Sequence, residues 1–291
     1  MVREGRSEVA VYSLATRRRL EVERARVGTV TAVAWSARGA LAVAGTTGAV
    51  DLDGHLLTRL HRPVQGIAFS PSGRLFAAVD LERLAIWRTE TGASTTTPLG
   101  RKGTAVAISP DGKRVAAGRD DGSVLIVGAA DGRIEHVLHP IGAPNVSVAF
   151  SPDGTVLTGS WSGIVERWNA TSGSRIGHPL LAAAAPVASI SFGHDPDVFA
   201  TAGLSDGLAK LWTTSTMEQL GASFPGPPGA LGHAVLMPGR LIVAYDDGTA
   251  ALWPTSLRAW ETHACAVAGR NLTREEWRRF VPSHAYAETC S

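Results

Sequence analysis

Few residues in this chain are spaced for chemistry. His136 and His139 stand three apart in HVLH, and Asp195-Pro196-Asp197 places two carboxylates in one turn. Residues three apart on a strand face opposite sides, so the two histidines make poor joint metal ligands. Two carboxylates fall short of the roughly six to eight oxygens that calcium takes. No GxSxG, HExxH, CxxC or Walker motif occurs, and nothing else suggests a catalytic set, a metal or a cofactor. Cys265 and Cys290 are the two cysteines. Their spacing permits a disulfide without deriving one, and in a reducing cytosol two buried thiols are expected.

Recognition chemistry is better represented. Trp161 stands in a turn whose counterparts carry Thr, Asp or Ser, and an indole on an exposed rim suits a binding hot spot. The competing reading lays it across a neighbouring loop. Tyr245 flanks an equivalent turn. Arg83, Arg101, Arg119, Asp120 and Asp246 fall in the same class of turn or link, with Arg26, Arg62, Lys102 and Asp80. Mixed signs favour a protein or peptide partner over nucleic acid. Arg17-Arg18-Arg19 is too short for a nucleic-acid patch and reads as a solvated turn.

The elements that position these residues are short strands. In Pro144–Trp168, Val146, Val148 and Phe150 alternate with small residues, SPDG turns the chain, and a second strand follows. Trp161-Ser162-Gly163 turns it again, and a third strand closes on Trp168. Such a unit cannot bury its apolar faces alone, and it recurs. First strands end at Trp35, Phe69, Ile108, Phe150, Phe192 and Leu236. Third strands close at Tyr12, Leu52, Trp87, Val127, Trp168, Trp212 and Trp253. Units of about 40–45 residues with four strands predict an all-β propeller. Its parts are an N-terminal half blade (1–25), six full blades (26–254) and a helical C-terminal cap (255–291).

Across about residues 8–254 the chain resembles the WD-repeat (WD40) propeller family. The AFSPDG-type first turns, the DG-type second turns and the endings at Trp87, Trp168, Trp212 and Trp253 carry the resemblance. It implies that these tryptophans are buried between blades and that Asp121, Asp206 and Asp247 match the family's turn aspartate. No tryptophan is followed by aspartate and the histidine partners are missing, so the family's Asp–His–Ser/Thr–Trp network is complete in no blade.

Past Trp253, Leu257, Trp260, Ala264 and Val267 share one helical face, and Thr273 with Glu276 forms a capping box before Trp277 and Phe280. The ending WxxxACxxAGRNLTREEWRRF…AYxxTC resembles the C-terminal close of large bacterial WD-repeat signalling chains. In those, a STAND-type NTPase, a kinase or a protease domain usually precedes the propeller. That resemblance implies a sensor or scaffold, a C-terminal piece or a stand-alone descendant, with an NTPase or kinase as partner domain.

The totals agree with a globular protein. The chain has 291 residues, 44% hydrophobic and 19% charged, with a formal charge of +2. That charge demands neither nucleic acid nor a membrane. No apolar run reaches a membrane span, so cytoplasmic placement is expected. The competing functional readings are a hydrolase-like propeller using channel residues and a fragment without independent function. For closure, a six-bladed ring is expected, the hairpin of residues 8–24 standing in for the last blade's missing outer strand. The alternative is a gapped seven-position arc with the hairpin beside the first full blade.

Overall fold

Strand alternation and glycine turns produce seven separate antiparallel sheets among the described residues. The computed structural model describes residues 7–16, 18–142, 144–193, 195–227, 229, 232–281, 284–288 and 290. Arg17 lies outside them. The first sheet is a hairpin, β1 (Ser7–Tyr12) with β2 (Arg19–Ala25). Blade one is β3 (Val30–Trp35), β4 (Leu41–Gly45), β5 (Ala49–Leu52) and β6 (His55–Arg59). Blade two is β7 (Val64–Phe69), β8 (Leu75–Asp80), β9 (Arg83–Arg88) and β10 (Ser94–Pro98). Blade three is β11 (Gly103–Ile108), β12 (Arg114–Arg119), β13 (Val124–Gly128) and β14 (Ile134–Leu138). Blade four is β15 (Asn145–Phe150), β16 (Thr155–Ser160), β17 (Ile164–Asn169) and β18 (Arg175–Leu181). Blade five is β19 (Val187–Phe192), β20 (Val198–Gly203), β21 (Leu208–Thr213) and the short β22 (Phe224–Pro225). Blade six has three strands, β23 (Gly232–Met237), β24 (Arg240–Tyr245) and β25 (Ala250–Pro254).

The repeated turn holds itself together. In blade three Ser109 Oγ donates to Asp111 Oδ1 at 2.7 Å and accepts from Arg114 N at 2.9 Å. The Lys113 amide donates to the same carboxylate at 3.0 Å and, with Ser109, holds the Asp111 pKa below its ordinary value.

Blades pack face to face through five cores. Ala44 and Val50 of blade one meet Phe76 and Trp87 of blade two, and Val79 and Leu84 meet Val115 and Leu125 of blade three. Ile126 meets Phe150 and Trp168, Leu157 meets Phe199 and Trp212, and Leu211 meets Leu241. Rings meet at tilted angles within blades, Phe76 lying 4.9 Å from Phe69 and 5.6 Å from Trp87. Trp87, Trp168 and Trp212 are buried, and Trp253 is half-buried. Blade one departs from the register expected of Leu52. Phe76 pairs with Trp87, but Ala42, the neighbour of its counterpart Leu41, pairs with Leu52. Leu52 therefore faces the opposite side from the tryptophans, because the Asp53-Gly54 turn takes one residue out of the strand.

The ring does not close as expected. Val9 and Val11 of the hairpin pack on Val27, Leu41, Val43 and Ala49, the side of blade one away from blade two. The hairpin forms its own sheet and does not extend β25. Among the described residues no apolar core joins blade six to blade one or to the hairpin. The arrangement is six blades in an arc, the hairpin filling the outer half of a seventh position. The physical reason is burial: blade one offers an apolar face that Val9 and Val11 cover.

The cap comprises α1 (Leu257–Ala268) and α2 (Arg274–Phe280). Ser256 caps α1 and the Thr273–Glu276 capping box opens α2. The Leu257 and Ala264 side chains lie outside those described. Trp260 Nε1 donates to Pro254 O at 2.7 Å, tying α1 to β25. Trp277 is buried edge-on to Tyr286, and Phe280 is exposed. Cys265 and Cys290 form a disulfide with Cα atoms 5.3 Å apart, replacing the two thiols expected. Asn271 clasps the Cys290 backbone at 2.7 and 2.9 Å, so the tail is already positioned for the bond. No described helix is long and apolar enough to cross a membrane.

Candidate functional site

The second turns and the links from each fourth strand to the next blade's first strand share one face. On blade four that face presents Trp161, 56% exposed. Its backbone is nonetheless fixed. Trp161 N donates to Pro144 O at 3.0 Å, and Ala182 N donates to Gly163 O at 2.9 Å. Gly163 has φ +80°, and a Cβ there would stand 2.0 Å from Ala183 O, so only glycine lets the turn sit so deeply between its neighbours. The indole therefore projects from a turn held on both sides, with Ile141 on one flanking link and Leu181 at the end of β18 before the other, both exposed.

Ile141 and Leu181 were not singled out from sequence. Ile141 belongs to a link and Leu181 closes β18, and no periodicity marks either as a neighbour of a turn about twenty positions away. Glu166 was also missed. It is 1% exposed, accepts from Ile141 N at 2.7 Å and pairs with Arg175 at 3.0 Å. A buried carboxylate so satisfied pins the Ile141 link in place.

The charged residues gather on blades two and three. Arg62 pairs with Glu82 at 2.9 Å, and Arg101 lies 3.6 Å from Asp121. Arg62, Glu82, Arg101 and Lys102 line a shallow depression of about 520 Å³. Arg83 and Asp120 are exposed nearby, Asp246 is exposed on blade six, and Arg26 is exposed beside blade one. Arg119 is occupied: Nε donates to Ser123 Oγ at 2.6 Å and Nη1 to Leu99 O at 3.0 Å. It braces the turn and offers little to a partner.

Two expected members of the face are elsewhere. Tyr245 is 7% exposed, in the core between blades five and six, its ring so close to Gly226 that a Cβ there would clash. Strand parity turns it inward one residue before the exposed turn begins. Asp80 is fully buried, and its Oδ1 accepts from Glu82 N and Arg83 N at 2.7 Å each. It shapes the turn from beneath.

The turn aspartates act the same way. Asp206 accepts from Leu208 N at 3.0 Å and Asp247 from Thr249 N at 2.8 Å. Asp121 accepts from Ser123 N and Ser123 Oγ. Burial works to raise the Asp121 pKa, but the two Ser123 bonds and the nearby arginines hold it below its ordinary value. The threonine–tryptophan arm of the network survives in two blades: Trp168 Nε1 donates to Thr158 Oγ1 at 3.2 Å and Trp212 Nε1 to Thr201 Oγ1 at 2.9 Å.

The histidine and carboxylate candidates are held by local partners. His136 Nε2 meets Thr171 O at 2.8 Å, and Asp197 accepts from Ser215 N and Ser215 Oγ at 2.7 and 2.9 Å. Among the described residues no group of three or more His, Cys, Asp or Glu could hold a metal ion.

The fold is that of a six-bladed β-propeller. The "WD domain, G-beta repeat" profile matches residues 100–134, 136–169 and 173–213, so the chain carries WD40 repeats in blades three to five. Among solved structures it is similar to the β-propeller domain of Cps50 (Swd1) from Myceliophteria thermophila. The TM-score is 0.71 at 16% identity, covering 86% of this chain and 91% of that one, a likeness of fold alone. Comparison with curated proteins returns no match.

Proposed function

We propose that this chain is a non-catalytic interaction propeller whose second-turn face docks a protein or peptide, with Trp161 as the anchor. One observation carries the reading: a large aromatic is left in solvent on a backbone fixed from both sides. Such a residue loses little entropy on binding and buries much area. Exposed Ile141 and Leu181 widen the apolar patch, and Arg83, Arg101, Asp120 and Asp246 provide a polar rim of both signs. The test begins with peptides selected from a random library on the wild-type protein. Trp161→Ala should weaken their binding by about 2 kcal/mol or more by calorimetry, leaving the melting temperature within a degree or so of wild type. Unaltered affinity, or loss of the fold, would reject Trp161 as anchor.

The setting we assign is a bacterial signalling system, the propeller acting as scaffold or sensor for an NTPase or kinase. Its support is the close of the chain, whose residues resemble those of such proteins. DNA upstream of the first codon encoding no such domain in frame or in a neighbouring gene would count against it. The compartment we assign is the cytoplasm. The Cys265–Cys290 bond is the observation against that, since structural disulfides are rare in reducing compartments. Alkylation in living cells followed by mass spectrometry decides the matter: two blocked thiols fit the cytoplasm, and none fits an oxidising compartment.

A further inference from the structure

Among the described residues the seventh position of the arc holds two strands, β1 and β2. In the blades, the residue closing the first strand and the one two before it face the preceding blade. In blade four these are Phe150 and Val148, each 9% exposed, and in blade six Leu236 and Ala234, 9% and 3% exposed. In blade one they are Trp35 and Val33, 56% and 54% exposed. The opposite wall is equally bare. Val235 of β23 is 51% exposed, and Ala244 of β24 is exposed where its counterparts Val79 and Ala202 are buried. His233 and Met237 are exposed on the same side of β23. Between the walls stands β1. It corresponds to a third strand, and among the described residues it is paired only with β2, on one of its two edges.

We propose that this slot takes a β-hairpin from a partner polypeptide, supplying first and second strands of the blade type. The interface it would extend already exists: Val9 and Val11 cover Leu41, Val43 and Ala49, and the uncovered apolar surface continues inward to Val33 and Trp35. The β1 edge turned away from β2 would provide main-chain hydrogen bonds, as in β-strand addition. The fitting occupant has two strands of about six residues joined by a tight turn, apolar on both faces. A second copy offers no such hairpin among its described residues, because each first and second strand there is held within a blade and β1 and β2 already fill the outer half of the slot. This site is separate from the Trp161 face and does not depend on it.

The probe is a peptide of residues 102–122, the first two strands of blade three, made ready-folded by a disulfide between cysteines added at its ends. It contains no tryptophan, so protein fluorescence reports directly. Binding should be saturable, and Trp35 should become shielded from acrylamide, a signal identified by its absence in Trp35→Phe. Val33→Lys and Ala244→Lys, both at exposed positions, should each weaken binding by about tenfold or more. No binding, or equal binding to both lysine variants, would overturn the proposal. So would a free protein that is dimeric on size exclusion with Trp35 already shielded, which would assign the slot to a second copy.

Discussion

At the scale of single residues, the tryptophans separate two jobs that one side chain can hold. The rings of Trp87, Trp168, Trp212 and Trp253 fill the space between blades, but of these four the indole N–H finds a side-chain partner where the fourth residue of the second strand is threonine. Thr158 and Thr201 occupy that place in blades four and five, and in blade six it is Val243. Trp253 Nε1 is accordingly buried without a partner. Val243→Thr should supply one at nearly equal volume, raising stability by about 1 kcal/mol, the net worth of one such bond. The mirror change, Thr158→Val, should lower it by a similar amount or more, since it orphans a buried donor. Urea unfolding of both variants checks the pair, and a loss of stability in Val243→Thr would show that packing outweighs the bond. The tryptophans were legible in sequence because a large residue at a fixed interval needs no knowledge of its neighbours. The inward turn of Tyr245 was not, because its turn and its strand parity argue in opposite directions and only the sheet decides.

At the scale of elements, the cap rests on charge as much as on packing. Glu276 accepts from Thr273 N at 2.8 Å and from both Nη atoms of Arg270 at 2.7 Å. The Arg270 bonds, then those of Thr273, lower its pKa from 4.5 to about 2. A carboxylate whose folded pKa lies below its unfolded one supports the fold fully above the unfolded value and loses that support as pH falls through the folded one. The cap should therefore hold above pH 4.5 and loosen as pH falls toward 2. Trp277 reports it, because its Nε1 bond to His284 O ties α2 to the tail. A red shift of the Trp277 signal across that window is expected, and Glu276→Gln should abolish the pH dependence. A signal that is flat from pH 5 to pH 2 would remove the ion pair from the account. This capping box was readable because both of its bonds are local in sequence. The disulfide was not, because Asn271, which brings Cys290 within reach of Cys265, shows its role only in three dimensions.

At the scale of the whole molecule, the question is what keeps an arc of six blades from opening. Each internal blade is covered on both faces, so the terminal blades carry the exposed surface. Blade one escapes part of this because residues 7–25 lie on Val27, Leu41, Val43 and Ala49, which they leave almost wholly buried. Sequence spacing marked this stretch as a third and fourth strand without a first and second. It did not show which blade the pair would cover, because either end of the arc offers an apolar face and repeats alone do not rank them. Deleting residues 1–25 would bare four apolar side chains and leave blade one with an open face. The expected result is a loss of about 3 kcal/mol or more, taking roughly 1.5–3 kcal/mol for each large apolar side chain returned to water and allowing for partial exposure. Newly exposed apolar surface should also drive self-association, seen as oligomers on size exclusion. Leu41→Ser within the full chain separates the two contributions. It should lower stability without oligomers, because the hairpin still shields the face. If the truncated protein unfolds at the same denaturant concentration and stays monomeric, the hairpin contributes nothing to the arc, and the six blades hold their shape through their five shared cores alone.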